Sequence, residues 1–422
     1  MRQKICMVGA LLFFIISVFV FSAPDAEAVP AFARQTGLSC STCHFQHFPA
    51  LNAFGRSFKS GGYTMVGGQS MIEGDMLSMP SVINASMVMK LRYQKTNGEY
   101  YIDDEDNKVN DKIGTNKGEL QFPDEAALFL GGRIGEHVGF AYEMGLAGEG
   151  ADNFTSFKIP FVFDVAGMKL SAIPFNTDAL GVSFGFELLN TGAQRTQRAI
   201  EHRKDMSAQQ YIDTATPAEG IAFVAANNMG FVNFSLWAPT HTGKDIGPMS
   251  NYLRIAATPA VGEWDLGGGF QWWGGTTKLE SDASDLDAGQ YATHAWALDA
   301  QAQGRVSSMP LGVYVSYASA EKTKAGDPEN IFNSGSDNKT AWALIGELGV
   351  IPNKLTASLA YRSGDKGTAT DSEQTAITLG VIHNTAQNIQ LQLNHSLYGG
   401  DAYDPKPAGG DQLTTLMLFT AF

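Results

Sequence analysis

Cysteine is nearly missing from this chain: among 422 residues only Cys6, Cys40 and Cys43 occur. That is too few for a disulfide framework. Cations are outnumbered, 29 Lys and Arg against 43 Asp and Glu, and no basic stripe interrupts the acidic excess. A net charge of −14 without such a stripe argues against nucleic acid as a partner and is compatible with cationic substrates. After Phe21 no apolar run reaches the roughly twenty residues of a membrane helix. No nucleophile elbow or phosphate loop occurs either. What is abundant is glycine, 46 residues, together with 11% aromatics. That mixture fits a soluble β protein or an outer-membrane barrel.

The first residues read as a leader. Met1-Arg2-Gln3-Lys4 is basic, Ile5 to Phe21 is apolar, and Ala26-Glu27-Ala28 offers small residues two apart. This is the pattern of a secretory signal peptide at 1–28, cleaved after Ala28. An uncleaved anchor is the alternative; the A-x-A exit favours cleavage. Cys6 then leaves with the leader, and the acidic balance survives because Arg2 and Lys4 offset Asp25 and Glu27.

The two cysteines that remain stand in Cys40-Ser41-Thr42-Cys43-His44. A C-x-x-C-H run is the attachment pattern of a c-type haem. One helical turn places two thiols at the spacing of the porphyrin vinyl groups, and the next residue presents an imidazole to the iron. A disulfide or thioredoxin-like C-x-x-C is the competing reading, and no βαβ pattern surrounds the motif to support it. The reading assigns covalent attachment to Cys40 and Cys43 and the proximal iron position to His44. Attachment outside the cytoplasm agrees with the leader.

The haem-bearing segment is expected to span 29–67. Leu51, Phe54 and Phe58 share one helical face, with Pro49 in the first turn and Gly61-Gly62 at the stop, so a short helix with an aromatic face is predicted. Arg56 and Lys59 lie elsewhere on it and are candidates for the haem propionates, plain solvation being the alternative. About forty residues are too few to enclose a haem alone, so this segment must borrow a wall. His47, three residues from His44, is placed for a rim or proton-coupling role rather than the opposite haem face. Met65, Met71, Met76 and Met79 follow, and Met65 is the first candidate for the distal iron ligand. A histidine from a later strand or loop is the alternative.

From about Ile83 onward, segments near ten residues long alternate apolar with small or polar residues. The period of two is plain in Val182–Leu188, Phe231–Trp237, Leu311–Tyr317 and Leu355–Tyr361. Short and long connections alternate, aromatic residues gather near strand ends (Trp264, Trp272, Trp273, Trp296, Trp342), and the last strand closes on Phe422. These features favour an all-β, antiparallel outer-membrane β-barrel over 68–422. Strand parity gives sixteen strands, provided one is removed from the piece 154–189. Both termini then lie in the periplasm. Loops at 96–123, 190–217, 239–249, 275–289, 321–338, 365–373 and 400–410 face outward, and turns near 228, 262, 305, 352 and 385 face inward. The small helical haem segment is expected to plug the bore. Acidic runs at Asp103–Asp106 and at Glu280, Asp282, Asp285 and Asp287 read as solvated loops, with Fe²⁺, Mn²⁺ or Ca²⁺ entry as the alternative.

The stretches Pro30–Gly37, Cys40–His44, Phe48-Pro49-x-Leu51-Asn52-x-Phe54-Gly55-Arg56-x-Phe58-Lys59 and Gly62-Tyr63 resemble the fused outer-membrane monohaem cytochrome–porins of iron-oxidising bacteria. The resemblance is dense over the haem segment and confined to length, pattern and terminal phenylalanine over the barrel. It implies one haem c in a sixteen-stranded barrel, accepting electrons from extracellular Fe(II) and passing them to a periplasmic c-type cytochrome. In enzymatic terms it implies an Fe(II):cytochrome c oxidoreductase. Outer-membrane lipid is the expected surrounding. Electron flow outward or from another donor, and a solute porin with a structural or sensor haem, are the competing readings.

Overall fold

A computed structural model describes residues 30–99, 101–102, 108–109, 116–148, 154–193, 207–241, 249–278 and 289–422. The leader and both acidic runs lie outside them. The sheet is a closed antiparallel barrel in which eighteen strand segments make sixteen staves, because two staves are interrupted. One interruption separates Ser156–Lys158 from Phe161–Val165, where Pro160 has no N–H to give the ladder. The other separates Ser250–Ala257 from Ala260–Val261 at Pro259. Each stave pairs with the next in sequence, and the last, Gln412–Ala421, pairs with the first, Ala85–Thr96, in a register that sets Leu418 opposite Leu91.

The alternation that makes these strands is inverted relative to a soluble sheet. In Leu355–Asp365 the lumen receives Thr356, Ser358, Ala360, Arg362 and Gly364, while Leu359 lies on the outer face, 55% exposed. Leu379 on the next stave is likewise 56% exposed. Large apolar side chains therefore clothe the outside and small or polar ones the inside. Trp272, Trp296, Tyr317 and Trp342 sit near stave ends at one rim, with Trp296 on Tyr317 and Trp342 on Tyr361. Trp273 departs from the expected girdle. It faces the lumen, 1% exposed, against Tyr252 and Phe332, because consecutive strand residues must take opposite faces.

That rim carries the long connections, and the other rim carries tight turns at 136–137, 166–167, 228–229, 262–263, 307–308, 352–354 and 387–388. Asn353 and Asn388 take the left-handed backbone these turns need (φ 58° and 65°). The expected alternation of loops and turns is found throughout, and both ends of the barrel reach the tight-turn rim.

The strand to be removed is Val182–Leu188. Instead of a stave it forms a single 3₁₀ turn, Val182–Phe184, followed by a loop folded into the bore. Met168–Thr177 already pairs directly with Ala218–Asn227, so no edge is open to it. Its alternating apolar residues fill the lumen instead. Val182, Phe186, Leu188 and Leu189 join Tyr211, Ile212, Trp237 and Phe332 in one buried cluster.

This inward loop is held by a charged knot. Arg254, fully buried on the wall, meets Glu187 (Nε to Oε2, 2.9 Å) and Asp299 (Nη1 to Oδ2, 2.6 Å; Nη2 to Oδ1, 2.8 Å). Glu187 also accepts from the N–H groups of Leu188 and Leu189, and Thr191 Oγ1 donates to Asp299. Removing the cation strands two buried carboxylates. Arg254→Ala is therefore expected to cost about 3–5 kcal/mol, seen as a lower urea midpoint for the refolded barrel, whereas exposed Lys322→Ala leaves the midpoint in place.

Candidate functional site

The segment before the barrel builds a compact knot from three short helices. Ala31–Thr36 ends at Gly37, whose φ of 71° turns the chain toward the motif. Cys40–Cys43 forms one helical turn. The chain then loops out and back, with Phe45 N donating to Ala50 O, a bridge between His44 and Leu51, and Asn52 N donating to Cys43 O. Asn52 caps the third helix, Ala53–Ser60, by accepting from Gly55 N, and its Nδ2 donates to Thr42 O. One side chain thus joins the motif turn to the helix after it.

That helix differs from the predicted one. Pro49 lies in the preceding turn rather than in the helix, Leu51 precedes it, and the aromatic face is divided. Phe58 is buried against Phe32 and Tyr63, whereas Phe54 is 40% exposed. Buried apolar area drew Phe58 into an aromatic trio with a helix that local periodicity does not register. Gly55 has a strict spatial reason. A Cβ there would stand 2.2 Å from Cys43 O and 3.1 Å from a Leu51 methyl, so only glycine lets the helix lie on the motif.

The motif residues are disposed as follows. Cys40 is at the surface edge, Cys43 is half-buried, and neither forms a disulfide. Partial burial pushes both thiols up, Cys43 further aided by its neighbour Cys40. A redox C-x-x-C works through a thiol lowered toward thiolate, the opposite direction. His44 Nδ1 lies 3.2 Å from Ala50 O. With the proton on Nδ1 for that bond, Nε2 carries the lone pair, the tautomer an iron ligand needs. Phe48 packs edge-on to the His44 ring at 5.2 Å and stacks on Phe419 of the barrel.

The knot is bound to the wall at the tight-turn rim on several sides. Arg56 Nη2 pairs with Asp265 at 2.5 Å, and His47 Nε2 meets Glu347 at 2.7 Å. Gln46 accepts from Asn353 N through its side chain and from Asn384 Nδ2 through its carbonyl. Gln35, fully buried, donates to the carbonyls of Tyr63 and Met65 and accepts from Asn84 Nδ2 and Arg133 N. Gly139 lets the turn at Gly62 touch the wall, since a Cβ there would fall 1.9 Å from Gly62 O. Leu51 and Asn190 exchange two hydrogen bonds, 2.9 and 2.8 Å, and so join the knot to the loop descending from the other rim. The segment therefore packs on the barrel wall and on that loop.

Of the other sequence candidates, Arg56 is 5% exposed and keeps Nη1 without a hydrogen-bond partner beside its Asp265 pair. Lys59 is half-buried on the same helix. Met65 is 40% exposed, its carbonyl held by Gln35. His47 does not share a helical turn with His44, because the helix ends at Cys43 and Gln46 has a φ of 65°. Met71, Met76 and Met79 fall in or at a hairpin, Met71–Gly74 with Leu77–Pro80, between the knot and the first stave. Among the described residues, no group of three or more His, Cys, Asp and Glu is arranged to hold a metal ion. Sequence reasoning missed Glu347, Asp265 and Asn190. An acid on the lumen side of an otherwise apolar stave, Ala-Leu-Ile-Gly-Glu347, is the signal that was available.

No family model matches the sequence, and no curated protein matches it. Among solved structures, the chain is similar to the outer membrane channel DcaP of Acinetobacter baumannii (12% identity over 81% of this chain and 97% of that chain, TM-score 0.50). It is also similar to an anion-selective porin from Comamonas acidovorans (15% identity, 81% and 99%, TM-score 0.48). At 12% identity the likeness to the DcaP channel concerns the fold alone, an outer-membrane barrel of the porin type.

The close fit at Gly55 gives a direct test. Gly55→Ala should destabilise the knot by about 1–3 kcal/mol through overpacking, so limited proteolysis cuts between 44 and 55 sooner than in the parent protein. Ser57→Ala, exposed on the same helix, should cut at the parent rate.

Proposed function

We propose that this chain is an outer-membrane electron-transfer protein, with one covalent haem c carried by the knot at the tight-turn mouth. The observation that carries the reading is the Cys40–Cys43 turn with His44 Nδ1 tied to the Ala50 carbonyl, set inside a barrel mouth. Cys40 and Cys43 would form the thioether links and His44 would ligate iron. Arg56, with its unpartnered Nη1, and Lys59 would face the propionates. Met65 is the proposed distal ligand. The bound group supplies one-electron exchange at its iron. The chain fixes the His44 tautomer, covers the imidazole with Phe48 and narrows solvent access with the inward loop.

An apolar outer face with aromatic residues at one rim suits lipid, and the barrel then spans the outer membrane with the long loops outward and both termini periplasmic. Extracellular Fe(II) is the proposed donor and a periplasmic c-type cytochrome the acceptor, which would dock at the mouth where the knot lies.

A second reading is favoured by the porin-type fold and its polar lumen wall: a solute channel whose knot is a structural or sensing stopper. Against free flux stands the buried cluster that fills part of the bore. The experiment is anaerobic mixing of oxidised protein with Fe(II), followed by haem absorption. Prompt reduction, lost on chelating Fe(II), supports the first reading. A haem reduced by dithionite but not by Fe(II), together with solute flux into liposomes, supports the second.

Cys43→Ala should abolish a haem stain that survives denaturing electrophoresis, while the barrel still shows its heat-dependent shift in mobility. A stain retained by this variant would remove the proposed attachment.

A further inference from the structure

Anchoring alone does not account for the contact between His47 and Glu347. Their side chains are 1% and 0% exposed, and a buried pair of this kind gains little net stability over apolar residues of similar volume. The carboxylate is engaged on both oxygens: Oε2 meets His47 Nε2 at 2.7 Å, and Oε1 accepts from Tyr314 OH at 2.5 Å. Gln303 Nε2 donates to the same phenol at 3.1 Å. On its other side His47 reaches the motif, since Nδ1 donates to Phe48 O at 2.9 Å and the Phe48 ring lies on that of His44.

We propose that His47 and Glu347 form a proton-binding site whose occupancy follows the electron on the haem held at His44. This rests on the electron-transfer reading above. Reduction adds one electron at the iron and draws one proton from solvent onto the imidazole–carboxylate pair; oxidation releases both. The charged and titratable groups around the pair are Tyr314 on the wall, Arg56 on the knot, whose charge is felt at Tyr314, its partner Asp265, and His44 beyond Phe48. Arg56 and Asp265 offset each other.

The sign follows from the environment. Burial alone would lower the His47 imidazole, but the Glu347 charge and hydrogen bond override it and hold it above its ordinary value. The pair thus gives up its proton at a higher pH than a free imidazole would. Oxidised iron carries one more positive charge, so the proton leaves at lower pH in the oxidised state than in the reduced one. Between those two points the midpoint potential falls as pH rises, and it is level outside them.

The test is a spectroscopic redox titration of full-length, haem-loaded protein across that pH range. The parent protein should show the fall, and Glu347→Gln should lose it. His47→Gln, on the knot rather than the barrel, should lose it too and covers the case in which the stave variant fails to assemble. Reduced-minus-oxidised infrared spectra should carry an imidazole or carboxylate band absent from both variants. A haem-bearing protein with a pH-independent potential, or an unchanged fall in both variants, overturns the proton site alone. A preparation without covalent haem overturns the electron-transfer reading and this inference together.

Discussion

The hydrogen bonds between Gln412–Ala421 and Ala85–Thr96 close the sheet on itself, and closure makes two demands on the rest of the chain. It leaves no strand edge open, so every further segment must find its partners inside the bore or beyond the rims. It also encloses a lumen too wide for wall side chains to fill. The folded-in loop and the N-terminal knot answer both. They enter from opposite rims and meet where Leu51 and Asn190 exchange hydrogen bonds.

The chemistry of that lumen explains why charged residues recur within it. A polar wall cannot be matched by an apolar filling alone, so each inserted piece is fixed by a charge pair: Arg254 with Glu187 and Asp299 for the loop, Arg56 with Asp265 and His47 with Glu347 for the knot. Low exposure makes these pairs directional and intolerant of losing one partner. They therefore define where each piece sits, which an apolar contact would leave free to slide.

Under the proposed reading, a single redox group serving two faces of a membrane would need a short route to both. The knot occupies one mouth, its motif covered by Phe48 and joined through Asn190 to the loop that descends from the other. Protein packed in the bore lies between the motif and the long-loop rim. The same packing would restrict a solute path.

The helical turn at Cys40–Cys43 was legible because it depends on local spacing, and staves such as Leu355–Asp365 because strand residues alternate faces whatever surrounds them. Their number followed from parity, and the turns near 352 and 385 from the spacing of the alternating segments. What tertiary structure alone decided was which alternating segment is not a strand. Val182–Leu188 has the same period as its neighbours, and only the pairing of Ile173 with Ala222 excludes it. Likewise Phe58 turned to Phe32, Trp273 faced inward, and His47 found Glu347 three hundred residues away. Sequence by itself determined what each segment can be, since that depends on neighbours within one turn or one strand. Which face a side chain meets, and with what partner, was settled by closure of the barrel, because only then do distant residues share one buried space.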